Sequence, residues 1–177
     1  HLKNQTLILN GVSKSYSMTG WRIGYGAGPK TLIKAMNLIQ SQSTSNACSI
    51  AQAAAVMALN GPQEFLRNWR QTFAERRDMT LNALSKVPGL SCLKPEGAFY
   101  LYVNCAGVLG KRTPDGQTLQ TDNQFCGYLL DAAKVTAVSG DAFGLSPYFR
   151  ISYATSLELL QEACKRIHKA VSDLYLS

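Results

Sequence analysis

Apolar residues along the chain fall into short runs and helical stripes that alternate. The run Thr6-Leu7-Ile8-Leu9, stopped by Asn10-Gly11, has the pattern of a strand buried on both faces of a parallel sheet. A hydroxyl-rich stretch follows, Ser13-Lys14-Ser15-Tyr16-Ser17-Met18-Thr19-Gly20. Trp21-Arg22-Ile23-Gly24-Tyr25 then resumes a strand-like pattern that ends at Gly26-Ala27-Gly28. Pro29 opens a helix whose stripe is Leu32, Ile33, Met36 and Ile39. Ser49 is placed to cap the next helix, with Ile50, Ala53, Ala54 and Met57 inward and Asn60-Gly61 closing it. Pro62 opens a third helix that runs to Lys86, with Phe65, Trp69, Phe73 and Leu84 on its apolar side. At about 25 residues it would span roughly 37 Å, a length that bridges two lobes.

Beyond Val87-Pro88-Gly89 the pattern shifts to strands and turns. Residues 90–93 and 98–103 alternate around the Pro95-Glu96-Gly97 turn, which predicts a hairpin. Residues 107–121 read as a surface loop, 124–133 as a short helix, and 135–138 and 148–153 as strands. The last helix opens on a capping-box pattern, Thr155-x-x-Glu158, and turns Leu159, Ala163, Ile167, Ala170 and Leu174 inward. The fold class is α/β in two lobes: residues 1–61, a linking helix over 62–87, and a smaller α+β lobe over 88–177. The first lobe has too few strands to complete a sheet, and the chain begins without Met, so a piece of a longer protein is expected.

Composition removes several chemistries. Of 177 residues, 46% are hydrophobic and 16% charged, which suits a packed core rather than disorder. No apolar run approaches the roughly 20 residues of a membrane helix, so a soluble protein is expected. His1 and His168 are the two histidines, too few for a multi-histidine metal site, and they give little basis for a Ser-His-Asp triad. The five cysteines are far apart and form no CxxC pair, which fits reduced thiols packed as small hydrophobes. The +7 net charge is scattered, not striped, unlike a nucleic-acid face.

Candidate chemistry gathers around Lys14. It lies just past the end of the first strand, the edge of an open sheet where ligands bind. Ser13, Ser15, Ser17 and Thr19 surround it, and Arg22 follows eight residues later. Hydroxyls and a guanidinium suit a phosphate dianion, and a primary amine attacks an aldehyde. Pyridoxal phosphate joins both demands; a solvated loop with an ordinary surface lysine is the plainer alternative. Gly24-x-Gly26-x-Gly28 is a weak rival, because Pro29 breaks the dinucleotide fingerprint.

Residues 10–25, Asn-Gly-Val-Ser-Lys-Ser-Tyr-Ser-Met-Thr-Gly-Trp-Arg-Ile-Gly-Tyr, closely resemble the cofactor-lysine signature of class I aminotransferases, which are fold-type I pyridoxal-phosphate enzymes. The bacterial aspartate aminotransferase branch is the most similar. The resemblance continues through Ser43-Thr44-Ser45-Asn46, Pro95-Glu96-Gly97-Ala98-Phe99-Tyr100, Gly140-Asp141-Ala142-Phe143-Gly144 and Arg150-Ile151-Ser152-Tyr153-Ala154. It implies the C-terminal portion of the pyridoxal-phosphate-dependent transferase fold: the end of a large parallel-sheet domain plus a small α+β domain. It also implies transfer of an amino group between an amino acid and a 2-oxo acid, in a cytoplasmic homodimer, with aspartate and 2-oxoglutarate as the expected pair. Lys14 matches the family's Schiff-base lysine, and Ser13 and Arg22 match groups that hold the cofactor phosphate. Ser45 matches a residue that reaches the phosphate from the partner subunit. Arg150 matches the arginine that grips the substrate α-carboxylate; a rim arginine on an apolar strand is the alternative.

Two positions depart from the family. Gly11 stands where some members carry a serine, and Ser41 stands where the animal-type branch has an arginine for the distal carboxylate. A dicarboxylic substrate would have to be read by residues outside this chain. So would the pyridine nitrogen, which makes the piece alone an expected non-catalyst. Other specificities on the same fold (prephenate, aromatic, alanine, carbon–sulfur lyase) and a non-catalytic binding domain are the alternatives.

Overall fold

The computed structural model describes residues 2–176. The chain divides into two compact units, His1–Asn68 and Trp69–Ser177. In the first, β1 (Ile8–Gly11) and β2 (Gly24–Ala27) pair antiparallel, with Ile8 opposite Ala27 and Gly11 opposite Gly24. This corrects the parallel strand expected over residues 6–9. The link between the two strands is a set of turns, not the crossover helix that a parallel pair needs. Ile8 and Leu9 are exposed rather than buried on both faces. Strand β2 also starts later than the pattern predicts. Thr19–Trp21 forms a 3-10 turn and Arg22 is left-handed at φ 52°, a conformation that no strand can hold. The glycine pattern serves the pairing: a Cβ on Gly24 would lie 3.2 Å from the Asn10 carbonyl, and one on Gly28 would lie 3.2 Å from that of Thr6.

Two helices complete this unit. Pro29 leads into α1 (Lys30–Ser43), where Ile33 and Met36 are half-buried and Ile39 is exposed. In α2 (Ser49–Asn60) the cap position is Cys48, not Ser49. The buried side is Ala51 and Ala55, while the predicted Ile50 and Met57 are 70% and 71% exposed. Apolar residues lie all round this helix, so their period does not select a face. Val12, Ala51 and Ala55 are the buried hydrophobic residues of the first unit among the described residues.

Helix α3 (Glu64–Leu84) is shorter at both ends than predicted, and the boundary between the units falls within it. Its final turns deliver Phe73, Met79, Leu81 and Leu84 to the second unit's core. There a four-stranded antiparallel sheet has the order β3 (Ser91–Cys92), β4 (Tyr100–Asn104), β6 (Tyr148–Ser152), β5 (Val138–Ser139). Strand alternation sorts its two faces. Leu101, Val103, Phe149 and Ile151 are buried, while Tyr100, Tyr102, Tyr148 and Arg150 on the opposite face are half-buried. Phe125 meets Phe149 edge-on, with ring centroids 5.5 Å apart.

Helix α4 (Asp122–Tyr128) is followed by a π-helical turn, Leu129–Ala133, where the pattern predicts one helix. A capping box starts α4: Thr121 Oγ1 accepts from the Gln124 N–H at 3.2 Å, and Gln124 Oε1 accepts from the Thr121 N–H at 3.3 Å. In α5 (Leu157–Ser172) the cap is Ser156, whose Oγ accepts from the Leu159 N–H at 3.3 Å; it is not Thr155. The helix therefore buries Leu160 and leaves Leu159 61% exposed, while Ile167, Ala170 and Leu174 enter the core as their spacing predicts. The segment 107–121 is pinned rather than loose. Val108, Thr113 and Leu119 are buried, and the Arg112 N–H donates to the Tyr175 carbonyl at 2.8 Å.

Burial pushes the thiols of Cys105, Cys126 and Cys164 up to about 12, 11 and 11 respectively. Exposed Cys48 moves the other way, because the Ala51 and Ile50 N–H groups at the start of α2 favour its thiolate. Thiolate, the reactive form, grows as pH passes the thiol's pKa. Iodoacetamide at neutral pH should therefore modify Cys48 first and spare the three buried thiols until denaturant is added, as read by peptide mass. Equal labelling of all five cysteines would contradict the closed core.

Candidate active site

The turn after β1 carries the candidate residues of the first unit. Val12, 1% exposed, anchors it. Two reverse turns follow, in which the Tyr16 N–H donates to the Val12 carbonyl and the Ser17 N–H to the Lys14 carbonyl, both at 3.2 Å. Tyr16 ties the turn down: its hydroxyl donates to Gln63 Oε1 at 2.8 Å, and its ring meets Phe65 at 6.1 Å. Ser13 is half-buried at the root of the turn and Lys14 is exposed at its crest. Ser17, Arg22 and Ser45 all have left-handed φ angles, a costly conformation for residues with a side chain.

Arg22 Nη1 donates to the Thr19 carbonyl at 2.7 Å, which spends one of five guanidinium donors. The same arginine lines a cleft of about 670 Å³ with Ser17, Gly20, Trp21, Cys48, Ile50 and Ala51. The N-terminus of α2 borders that cleft, so a fixed cation and the positive end of a helix dipole share it, and no acidic residue lines it. A hydroxyl at Ser17, the Arg22 guanidinium and a helix N-terminus together suit an anionic group such as a phosphate. Ser13 and Lys14 sit on the adjoining turn, and Ser45 lies in the segment 44–48 that leads into α2. Among the described residues no group of His, Cys, Asp or Glu could hold a metal ion.

Arg150 belongs to the second unit, at the centre of β6. Across the ladders it pairs with Tyr102 of β4 and Val138 of β5. Its guanidinium carbon lies 4.3 Å from the ring centre of Tyr100 and 4.5 Å from that of Phe143. Both rings lie in motif stretches, but nothing in the sequence around either one declares a role for it. The readable signal was the alternation that puts Tyr100, Tyr102, Tyr148 and Arg150 on one face.

The profile of the family described as "Aminotransferase class I and II" matches residues 2–167. The chain is 59% identical over 173 residues to an aspartate aminotransferase of Rhizobium meliloti strain 1021, covering 98% of this chain and 42% of that protein. It is 55% identical over 173 residues to a probable aspartate/prephenate aminotransferase of Rickettsia felis, again 98% of this chain and 42% of that protein. The crystal structure of the aspartate aminotransferase from Rhizobium meliloti superposes with a TM-score of 0.95 at 59% identity, covering 98% of this chain and 44% of that one. The chain belongs to the class I and II aminotransferase family. It spans less than half the length of the curated relatives it matches.

Proposed function

We propose that the full-length protein carrying this chain transfers an amino group between an amino acid and a 2-oxo acid, with aspartate and 2-oxoglutarate as the pair, using pyridoxal phosphate in a homodimer. One observation carries the reading: the Arg22 guanidinium and Ser17 line a cleft with no acidic lining residue, and Ser17 ends the turn that carries Ser13 and Lys14, in a chain 59% identical to an aspartate aminotransferase. Bound there, the cofactor would supply an aldehyde for the amine and a ring that accepts the electron pair left behind when the substrate's α-proton departs. Ser13 and Arg22 hold its phosphate, and Ser45 reaches the phosphate from the partner subunit. Lys14 Nζ anchors the aldehyde and moves the proton off the substrate α-carbon. Arg150 takes the α-carboxylate through two parallel N–H donors.

Ser41 offers no charge for a second carboxylate, so specificity toward dicarboxylic substrates rests on residues outside this chain. Relatives named aspartate/prephenate aminotransferases favour a second reading within the same chemistry, in which prephenate is also an acceptor. Borohydride reduction of the full-length protein loaded with pyridoxal phosphate, followed by peptide mapping, should place the pyridoxyl label on the peptide containing Lys14. A label on any other lysine, or none, would overturn the reading. Rates with 2-oxoglutarate, prephenate and aromatic 2-oxo acids then separate the two specificities.

A further inference from the structure

A guanidinium that must catch a carboxylate has to wait half-buried, unpaired, and in one orientation. Arg150 is half-buried, and among the described residues its guanidinium forms no ion pair and no hydrogen bond. What surrounds it is aromatic, with the Tyr100 and Phe143 rings at 4.3 and 4.5 Å. Ring faces attract the flat side of a guanidinium and leave its edge, where the N–H donors point, open to a carboxylate.

The rings are themselves held. Phe143 closes the 3-10 turn Gly140–Phe143, in which the Leu145 N–H donates to the Gly140 carbonyl at 3.0 Å. The Tyr102 hydroxyl donates to the carbonyls of Gly140 and Leu145 at 3.3 and 3.2 Å, which ties that turn to β4. Tyr102 also stacks on Tyr148 at 5.1 Å and meets the edge of Phe143 at 6.2 Å. Any side chain at Gly140 would collide with the Leu145 carbonyl, so the turn admits only glycine there.

We infer that Tyr100 and Phe143 are positioning residues that pre-orient the Arg150 guanidinium for the α-carboxylate. The inference rests on the proposed carboxylate role of Arg150. Rings that restrict the arginine before binding reduce the freedom it loses when the ligand arrives. Their removal therefore weakens carboxylate binding and leaves the later chemistry less affected.

The test uses the full-length holoenzyme with Phe143→Leu, Tyr100→Leu and the ring-preserving Phe143→Tyr. The readouts are steady-state kinetics and a spectroscopic titration with maleate, a non-reacting dicarboxylate. Phe143→Leu should raise KM for the amino acid and the maleate Kd about tenfold, with a smaller fall in kcat, and Phe143→Tyr should restore both. For a simple alkylamine, which carries no carboxylate, the rate of reaction with the holoenzyme should not change. Phe143 is 48% exposed, so its variant keeps the core and decides the matter even if Tyr100→Leu fails to fold. Two results would overturn the inference: unchanged KM and maleate Kd in Phe143→Leu, or an equal loss with the alkylamine, which would mean the ring acts otherwise than through the carboxylate. Arg150→Lys separates the two layers. If that variant binds maleate as the parent does, the carboxylate role of Arg150 falls and takes the inference with it.

Discussion

Replacing Lys14 with alanine in the full-length protein should lower amino-group transfer by about 10³-fold or more, since a nucleophile and a proton carrier are lost together. The first unit has three other lysines, Lys3, Lys30 and Lys34. Lys3 and Lys30 line a different groove, with Ile8 and Pro29, so neither stands where Lys14 does. Lys30→Ala is thus the matched control and should keep the parent rate. Lys14→Arg should be as inactive as the alanine variant, because a guanidinium retains charge but is not a nucleophile near neutral pH. Rates are read by a coupled assay of the 2-oxo acid formed. Retained turnover in Lys14→Ala, or equal loss in Lys30→Ala, would end the proposed mechanism.

The second large effect is on stability. Phe149 is fully buried on β6, packs edge-on against Phe125 and neighbours Arg150 in the chain. Phe149→Ala removes a whole ring from a closed core, which costs about 3–5 kcal/mol. Against a total of about 5–15 kcal/mol for a domain this size, the second unit would be left marginal. In urea, with a slope of about 1–3 kcal/mol per molar, the midpoint should fall by about 2 M. Phe143→Leu, on the open side of the same sheet, should shift it far less. A loss under about 1 kcal/mol for Phe149→Ala would mean the core collapses around the gap.

Much of the second unit was legible in the sequence. Pro95-Glu96-Gly97 marked the β3–β4 hairpin, and Ile167 and Ala170 marked the inner side of α5, because local turn chemistry and helical period govern both. The errors have local causes too. Thr155 and Ser156 both suit a cap, and only the backbone decides that Ser156 accepts the bond, which exchanges Leu159 for Leu160. Helix α2 is apolar around its circumference, so Ile50 and Met57 were as eligible for burial as Ala51 and Ala55. Strand direction was not legible at Ile8 and Leu9, since a run of apolar residues does not state which way its neighbour runs.

The candidate site divides in the same manner. Lys14, Ser13 and Arg22 lie within ten residues, and their chemistry could be read from that segment alone. Tyr100, Phe143 and Arg150 come from three separate elements, and nothing local announces that two rings meet one guanidinium. Strand register brings them together: Tyr102 sits opposite Arg150, and the Tyr102 hydroxyl draws in the turn that carries Phe143.

That register has a mechanical corollary. Strand β6 is the inner strand between β4 and β5, so the backbone on either side of Arg150 is bonded along both edges. The guanidinium has no hinge of its own, and any excursion larger than a side-chain rotation must carry the whole sheet with it. Tuning the reach of this cation is therefore a matter of shifting a plate, not of bending a loop.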